Sequence, residues 1–155
     1  KIAFIGRKDE ERYAGYCQGL EEAGYPLVEN YVLAPSFTFD HGVEAGKKLL
    51  GLTEQPTGIV CFNDEVALGL TQFLIKAGKR VPEEFSVCGI DNTVSRFYNP
   101  EITTIDVPKK KMGKTAAELL LKMIDGEEIK DTERYIHFPV QLIKRDSTAP
   151  VSFAK

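Results

Sequence analysis

The sequence contains no tryptophan, two histidines, three cysteines and no long hydrophobic run in its 155 residues. Each scarcity excludes something. The longest apolar stretches, such as 87–90 interrupted by Gly89, fall far short of the ~20 residues a bilayer span requires. His41 and His137 lie far apart, and without an HExxH or a CxxC they offer no metal-ligand spacing, so no metal is expected. Cys17, Cys61 and Cys88 are odd in number and widely separated, and two of them sit in apolar strand-like runs. That pattern suits reduced, packed thiols in a reducing cytoplasm rather than a disulfide framework. Basic charge is not in excess either: 20 Lys and Arg against 23 Asp and Glu give a net charge of −3. Bulk charge therefore supplies no broad basic face for a phosphate backbone, and any contact with DNA is expected from another segment. The chain opens on Lys1 and runs directly into Ile2-Ala3-Phe4-Ile5 with no leader pattern, which reads as a cut inside a larger protein.

What is present is a globular composition, 43% hydrophobic, 28% charged and 10% aromatic, sufficient for one domain with its own core. Short apolar runs alternate with longer helical patterns, the signature of βαβ units and a parallel sheet. The fold class expected is α/β, a three-layer doubly wound parallel sheet. Strands are expected over 1–6, around 31–33, over 58–62 and over 85–90. Helices are expected over 10–23, from a cap at Ser36 or Thr38 to about Gly51, and from Asn63-Asp64 to Gly78. After Asn99-Pro100 the pattern changes. A β-branched run at 103–105 precedes a helix over 109–125, with Met112, Ala116, Leu119, Leu120 and Met123 expected inward. A charged loop over 127–134 then leads to strand pieces at 135–138 and 140–143, divided by Pro139. Residues from 146 onward are expected to be only partly ordered.

In an open parallel sheet, ligands bind beyond the carboxyl ends of the strands. The loops leaving those ends collect Arg7 and Arg12 after the first strand, Phe37 after the second, Asn63-Asp64 after the third and Asp91-Asn92 after the fourth. A sugar presents vicinal hydroxyls that donate and accept, and a C–H face. Arg donates in a planar fork, Asp accepts, Asn does both, and an aromatic ring packs on the C–H face. An ordinary account stands beside this one: Asn and Asp after a strand also serve as helix caps worth ~1 kcal/mol, and Phe37 can simply pack.

Other motifs fail. The stretch from Gly42 to Lys48 superficially resembles a phosphate loop, but its spacing is wrong and Lys48 stands where Ser or Thr is needed. There is no GxGxxG and no GxSxG, and no motif supports turnover, so no enzyme and no cofactor are expected. Asp64, Glu65 and Asp91 as a hydrolytic carboxylate pair have no further support. The basic cluster Lys109-Lys110-Lys111 with Lys114 opens a helix and is most simply a solvated face.

An ordered string of motifs runs from Lys1 to about Pro150. It comprises Ile2-Ala3-Phe4-Ile5-Gly6, Arg12 with Gly15-Tyr16 and Gly19-Leu20, and Phe39 to Gly42 opening a helix. Pro56-Thr57-Gly58-Ile59, Phe62-Asn63-Asp64 with Ala67-Leu68-Gly69, and Val81-Pro82 before Ser86 to Asn92 follow. Thr103-Thr104-Ile105-Asp106, Met112-Gly113 with Ala116-Ala117, and Leu142 to Thr148 close it. In this order the motifs resemble the effector-binding region of the LacI/GalR family of bacterial transcriptional repressors.

That resemblance implies a two-lobed fold like that of periplasmic sugar-binding proteins, of which this chain is mainly one lobe. Residues 1–102 would form the C-terminal lobe, 103–136 the hinge strand and a helix of the other lobe, 137–150 a return segment, and 151–155 a tail. The family's effector-binding Arg, Asn and Asp map onto Arg12, Asn63 and Asp91, and its stacking aromatic onto Phe37, with Phe39 close by. Arg7, Asp64 and Asn92 flank these positions. Many relatives carry Gln where this chain has Val107, which removes one polar contact. The partners implied are a small-molecule effector, a sugar or sugar phosphate, a second copy of the chain in a homodimer, and DNA through a headpiece outside this chain. An exported solute-binding protein of a sugar ABC transporter is the alternative for the same fold, and the three cysteines weigh against it.

Overall fold

The computed structural model describes residues 1–34 and 37–150. Five strands, β1 (Ile2–Ile5), β2 (Val32–Leu33), β3 (Gly58–Cys61), β4 (Ser86–Ile90) and β5 (Thr103–Asp106), pair in parallel in the order β2-β1-β3-β4-β5. A sixth, β6 (Gln141–Ile143), closes the edge antiparallel to β5. Alternation along β1 sends Phe4 to one face and Ala3 and Ile5 to the other. Helix α1 (Glu11–Glu22) covers the first face through Tyr16 and Leu20, and the Tyr16 ring stacks on Phe4 at 5.2 Å. Helices α2 (Phe39–Leu50) and α3 (Asp64–Lys76) cover the second, where Leu49, Val66, Leu70 and Leu74 meet Ile5, Ile59 and Val87. The sheet is therefore sandwiched between helical layers, as the alternating pattern predicts.

Two glycines let α2 and α3 touch backbone to backbone. A Cβ on Gly42 would stand 2.1 Å from the Val66 carbonyl oxygen, and one on Gly69 would stand 2.0 Å from that of Phe39. Glycine is required here by close approach rather than by backbone angle.

Several expectations are corrected. The second strand is shorter than expected because residues Glu29–Tyr31 form a 3₁₀ turn, with Tyr31 buried and its hydroxyl donating to the Glu54 carbonyl oxygen at 2.9 Å. Thr38 occupies the cap position of α2, but its hydroxyl pairs with His41 Nδ1 at 2.8 Å rather than with a helix amide, and Ser36 lies outside the described residues. Helix α4 (Lys109–Ile124) forms where expected, but its apolar stripe is not inward. None of its residues is buried, and Leu120 and Met123 are 58% and 60% exposed, because among the described residues no sheet covers that stripe. Residues 135–138 form no strand, and Tyr135 is exposed. The charged loop contains a one-turn helix, α5 (Asp131–Arg134), tied to α4 by Glu133 and Lys122 at 2.7 Å.

Residues 146–149 are well anchored, against expectation. The backbone amides of Asp146 and Ser147 donate to the Glu101 carbonyl oxygen, Ser147 Oγ donates to the Val87 carbonyl oxygen at 2.6 Å, and the Ala149 amide donates to Ser86 Oγ. Backbone groups and the Ser86 and Ser147 hydroxyls, none of them visible to hydrophobic patterning, do this anchoring. The tail 151–155 lies outside the described residues.

Candidate effector-binding edge

The strand order reverses at β1, whose neighbours β2 and β3 lie on opposite sides, and the crevice outside the carboxyl ends at such a reversal is where open α/β sheets take ligands. The first turn of α1 brings Arg12 to this edge, and the segments leaving β2, β3 and β4 bring Phe37, Asn63 and Asp91. Asn63 is the N-cap of α3: its Oδ1 accepts from the Val66 amide at 2.9 Å, while its Nδ2 donates to the Phe37 carbonyl oxygen at 3.0 Å. One side chain thus starts a helix and holds the aromatic loop against it.

Phe62, one residue before that cap, organises the rest. Its ring centroid lies 4.2 Å from that of Phe37, tilted by 34°, and the Arg12 guanidinium carbon lies 4.1 Å over it. From there Arg12 Nη2 reaches to 3.6 Å from the Asp91 carboxylate, with the two side chains 33% and 31% exposed. The edge therefore presents an aromatic wall, a planar donor fork and a carboxylate acceptor, all half-open to solvent.

Asp91 and Asn92 occupy left-handed backbone conformations, with φ of 100° and 50°, which Asp and Asn tolerate better than most residues. The turn is held by the Asp91 amide donating to the Ile105 carbonyl oxygen at 2.9 Å and by the Thr93 amide donating to Asp64 Oδ2 at 2.7 Å. Lys109 Nζ donates to the Asp91 carbonyl oxygen and to that of Val107.

Three flanking candidates have partners within the chain. Asp64 is fully buried, and besides the Thr93 amide it accepts from the Thr104 hydroxyl at 2.5 Å, so its carboxylate faces the interior. It also explains Gly89, where a Cβ would stand 2.5 Å from Asp64 Oδ1. Asn92 is spent on Asp106, Ser95 and Arg145. Arg7 pairs through Nε with Asp9 Oδ1 at 2.9 Å and lies 4.0 Å from Glu10, within its own loop. The sequence reasoning overlooked Phe62 and Arg145. Phe62 stands beside Asn63 at the end of β3 and its position was a usable signal; Arg145 is remote in sequence from the edge and offered none.

Burial pushes the Cys88 thiol up to about 11, with the Asp64 charge adding to the effect, and pushes Cys61 well above the ordinary thiol range. Among the described residues, no group of His, Cys, Asp and Glu is placed to hold a metal ion, and no helix is long and apolar enough to cross a membrane.

The periplasmic binding protein-like domain family matches residues 1–148. The HTH-type transcriptional repressor PurR of Vibrio cholerae serotype O1 (strain M66-2) is 35% identical over 145 residues, covering 93% of this chain and 43% of that protein. The transcription regulator CcpA of Lactococcus lactis superposes with a TM-score of 0.87 at 28% identity, covering 96% of this chain and 56% of that one. A LacI family transcriptional regulator from Enterococcus faecium with bound ribose superposes with a TM-score of 0.84 at 31% identity, covering 97% and 57%. The chain spans less than half the length of the curated relatives it matches.

Proposed function

Since the chain belongs to the periplasmic binding protein-like domain family and is a LacI/GalR-type effector-binding region, we propose that it is the sugar-sensing part of a bacterial DNA-binding transcriptional repressor. The observation that carries this reading is the convergence of Arg12, Phe62, Phe37 and Asp91 at the reversal of strand order. A polyol replaces the direct Arg12–Asp91 pair, one hydroxyl donating to the carboxylate and its neighbour accepting from the guanidinium fork. The C–H face of the ring packs on Phe37 and Phe62, and Asn63 holds Phe37 in place. Each of these roles is binding; none is catalytic.

Residues 1–102 are assigned to the lobe that bears the edge, 103–136 to a hinge strand, β5, which stays in that lobe's sheet, and the helix of a second lobe that follows it, and 137–150 to the return. The bare apolar stripe of α4 supports this division, because an amphipathic helix buries such a stripe against a partner and none of the described residues buries this one. Effector bound between the lobes favours their closed arrangement and so shifts the relative placement of two headpieces on DNA in a cytoplasmic homodimer. Such a shift can be no larger than the effector's differential affinity for the two arrangements. The curated relatives are repressors, which supports this role over that of a transport-linked solute-binding protein.

The test is a thermal-shift screen of the full-length protein against pentoses, hexoses, disaccharides and their phosphates. At a hundred times its Kd a ligand of the folded state adds about 2.7 kcal/mol, so a selective rise in the midpoint is expected. No response across the panel would overturn the sugar-sensing reading.

A further inference from the structure

Arg145 is 13% exposed, and a guanidinium at that depth is costly unless its N–H groups are taken up. All three nitrogens are engaged. Nη1 donates to Ser95 Oγ at 2.7 Å and to the Ile102 carbonyl oxygen at 2.9 Å, Nη2 donates to Asn92 Oδ1 at 2.7 Å, and Nε lies 3.4 Å from the Glu101 carboxylate. Anchoring the segment after β6 does not require this, since Ser147 and the backbone amides of 146 and 147 already dock it.

The partner that matters is Asn92. Its Oδ1 accepts from Arg145 and from Ser95 Oγ, and its Nδ2 donates to Asp106 Oδ1 at 2.9 Å. A pure donor on one side and a carboxylate on the other orient the amide unambiguously. Asn92 directly follows Asp91 in the left-handed turn, so the bonds that fix the Asn92 side chain also restrain the backbone from which the Asp91 carboxylate reaches Arg12. Besides nearby Ser95, the residues that grip Asn92 come from two different segments, Asp106 from the end of β5 leading out to α4 and Arg145 from the chain just after β6.

We propose that Arg145 is a positioning residue for Asp91: through Asn92 it sets the turn that carries the site's carboxylate, and it ties that turn to both segments that run to and from α4. The inference rests on the edge of Arg12 and Asp91 being the effector site. Movement of either segment relative to the sheet then changes the Asp91 geometry, and a ligand held by Asp91 resists that movement.

The experiment uses the full-length protein and reads amide hydrogen exchange over 91–93 beside exchange in α3. Arg145→Met is expected to speed exchange over 91–93 at least tenfold and to leave α3 within twofold. Asn92→Asp is expected to do the same, because it sets a carboxylate against Asp106. The paired variant Asn92→Asp with Asp106→Asn keeps the Arg145 contact, restores a donor to acceptor arrangement and is expected to recover wild-type exchange. If Arg145→Met fails to fold, the Asn92 and Asp106 variants carry the test. Unchanged exchange over 91–93 in folded Arg145→Met, or no recovery in the paired variant, overturns the proposal. Titrations with ribose, glucose and cellobiose supply the readout that a merely structural role would not move. The sugar that binds wild type is expected to bind Arg145→Met at least tenfold more weakly with the melting midpoint little changed, and equal affinity overturns the proposal. If wild type binds no sugar, the sugar-sensing reading alone fails, and the exchange rates still decide the role of Arg145.

Discussion

The Arg12 guanidinium stands 3.6 Å from the Asp91 carboxylate, with each side chain about a third exposed and the guanidinium resting on the Phe62 ring. A half-exposed pair of this kind contributes about 0–1 kcal/mol, so ligand hydroxyls can replace it at little cost. Asp91→Asn keeps a residue that tolerates the left-handed turn while removing the charge. It is expected to change unfolding free energy by less than about 1 kcal/mol and to abolish any sugar-induced rise in melting midpoint, as measured by paired denaturation and thermal-shift curves. A full ligand response in this variant would remove Asp91 from the site.

Asn63 has two separable duties. Asn63→Ala loses both, and is expected to cost about 0.5–2 kcal/mol through the missing cap. Asn63→Asp keeps an oxygen for the Val66 amide but loses the donor to the Phe37 carbonyl. The Asp variant is expected to retain stability in urea titrations while binding sugar more weakly than wild type. Equal affinity in the two proteins would assign Asn63 to capping alone.

The contact between α2 and α3 has no room for a methyl group at Gly69, which faces the Phe39 carbonyl oxygen. Gly69→Ala is expected to destabilise by about 1–3 kcal/mol, because backbone, unlike a flexible side chain, cannot step aside. Gly113→Ala, where a Cβ meets nothing within 4 Å, is the control and is expected to be neutral or slightly stabilising. Urea midpoints of the two variants check the contrast.

Burial pushes the Tyr16 phenol up to about 12, with its hydroxyl donating to the Ile2 carbonyl oxygen at 2.9 Å. The folded state therefore holds the proton more tightly than the unfolded state, whose phenol titrates near its ordinary value of about 10. The stability linked to Tyr16 is complete below pH 10 and is lost as pH rises towards 12. The stability difference between wild type and Tyr16→Phe is expected to stay constant up to about pH 10 and to shift against wild type above it. A difference that stays flat throughout would show that Tyr16 titrates alike in both states.

Periodicity in the sequence was enough to locate β1, β3, β4 and the four longer helices, because a buried strand or an amphipathic helix must place apolar residues at its own repeat. The same reading turned the stripe of α4 inward and drew a strand over 135–138, since periodicity says that a face is apolar and not what lies against it. Parallel topology made legible the wider set that follows successive strands, Arg7, Arg12, Phe37, Asn63-Asp64 and Asp91-Asn92, and the resemblance to the LacI/GalR family singled out Arg12, Phe37, Asn63 and Asp91 among them. Their division of labour was not. That Asp64 faces the interior, that Asn92 is spent on Arg145 and Asp106, and that Phe62 joins Arg12 to Phe37 all depend on distances between segments far apart in the chain. By itself the sequence determined the parallel α/β architecture and the edge at which chemistry collects, because both follow from local patterning. Only the tertiary structure decided which polar side chains remain open to solvent, because a buried polar group must find its hydrogen-bond partner wherever the fold brings one.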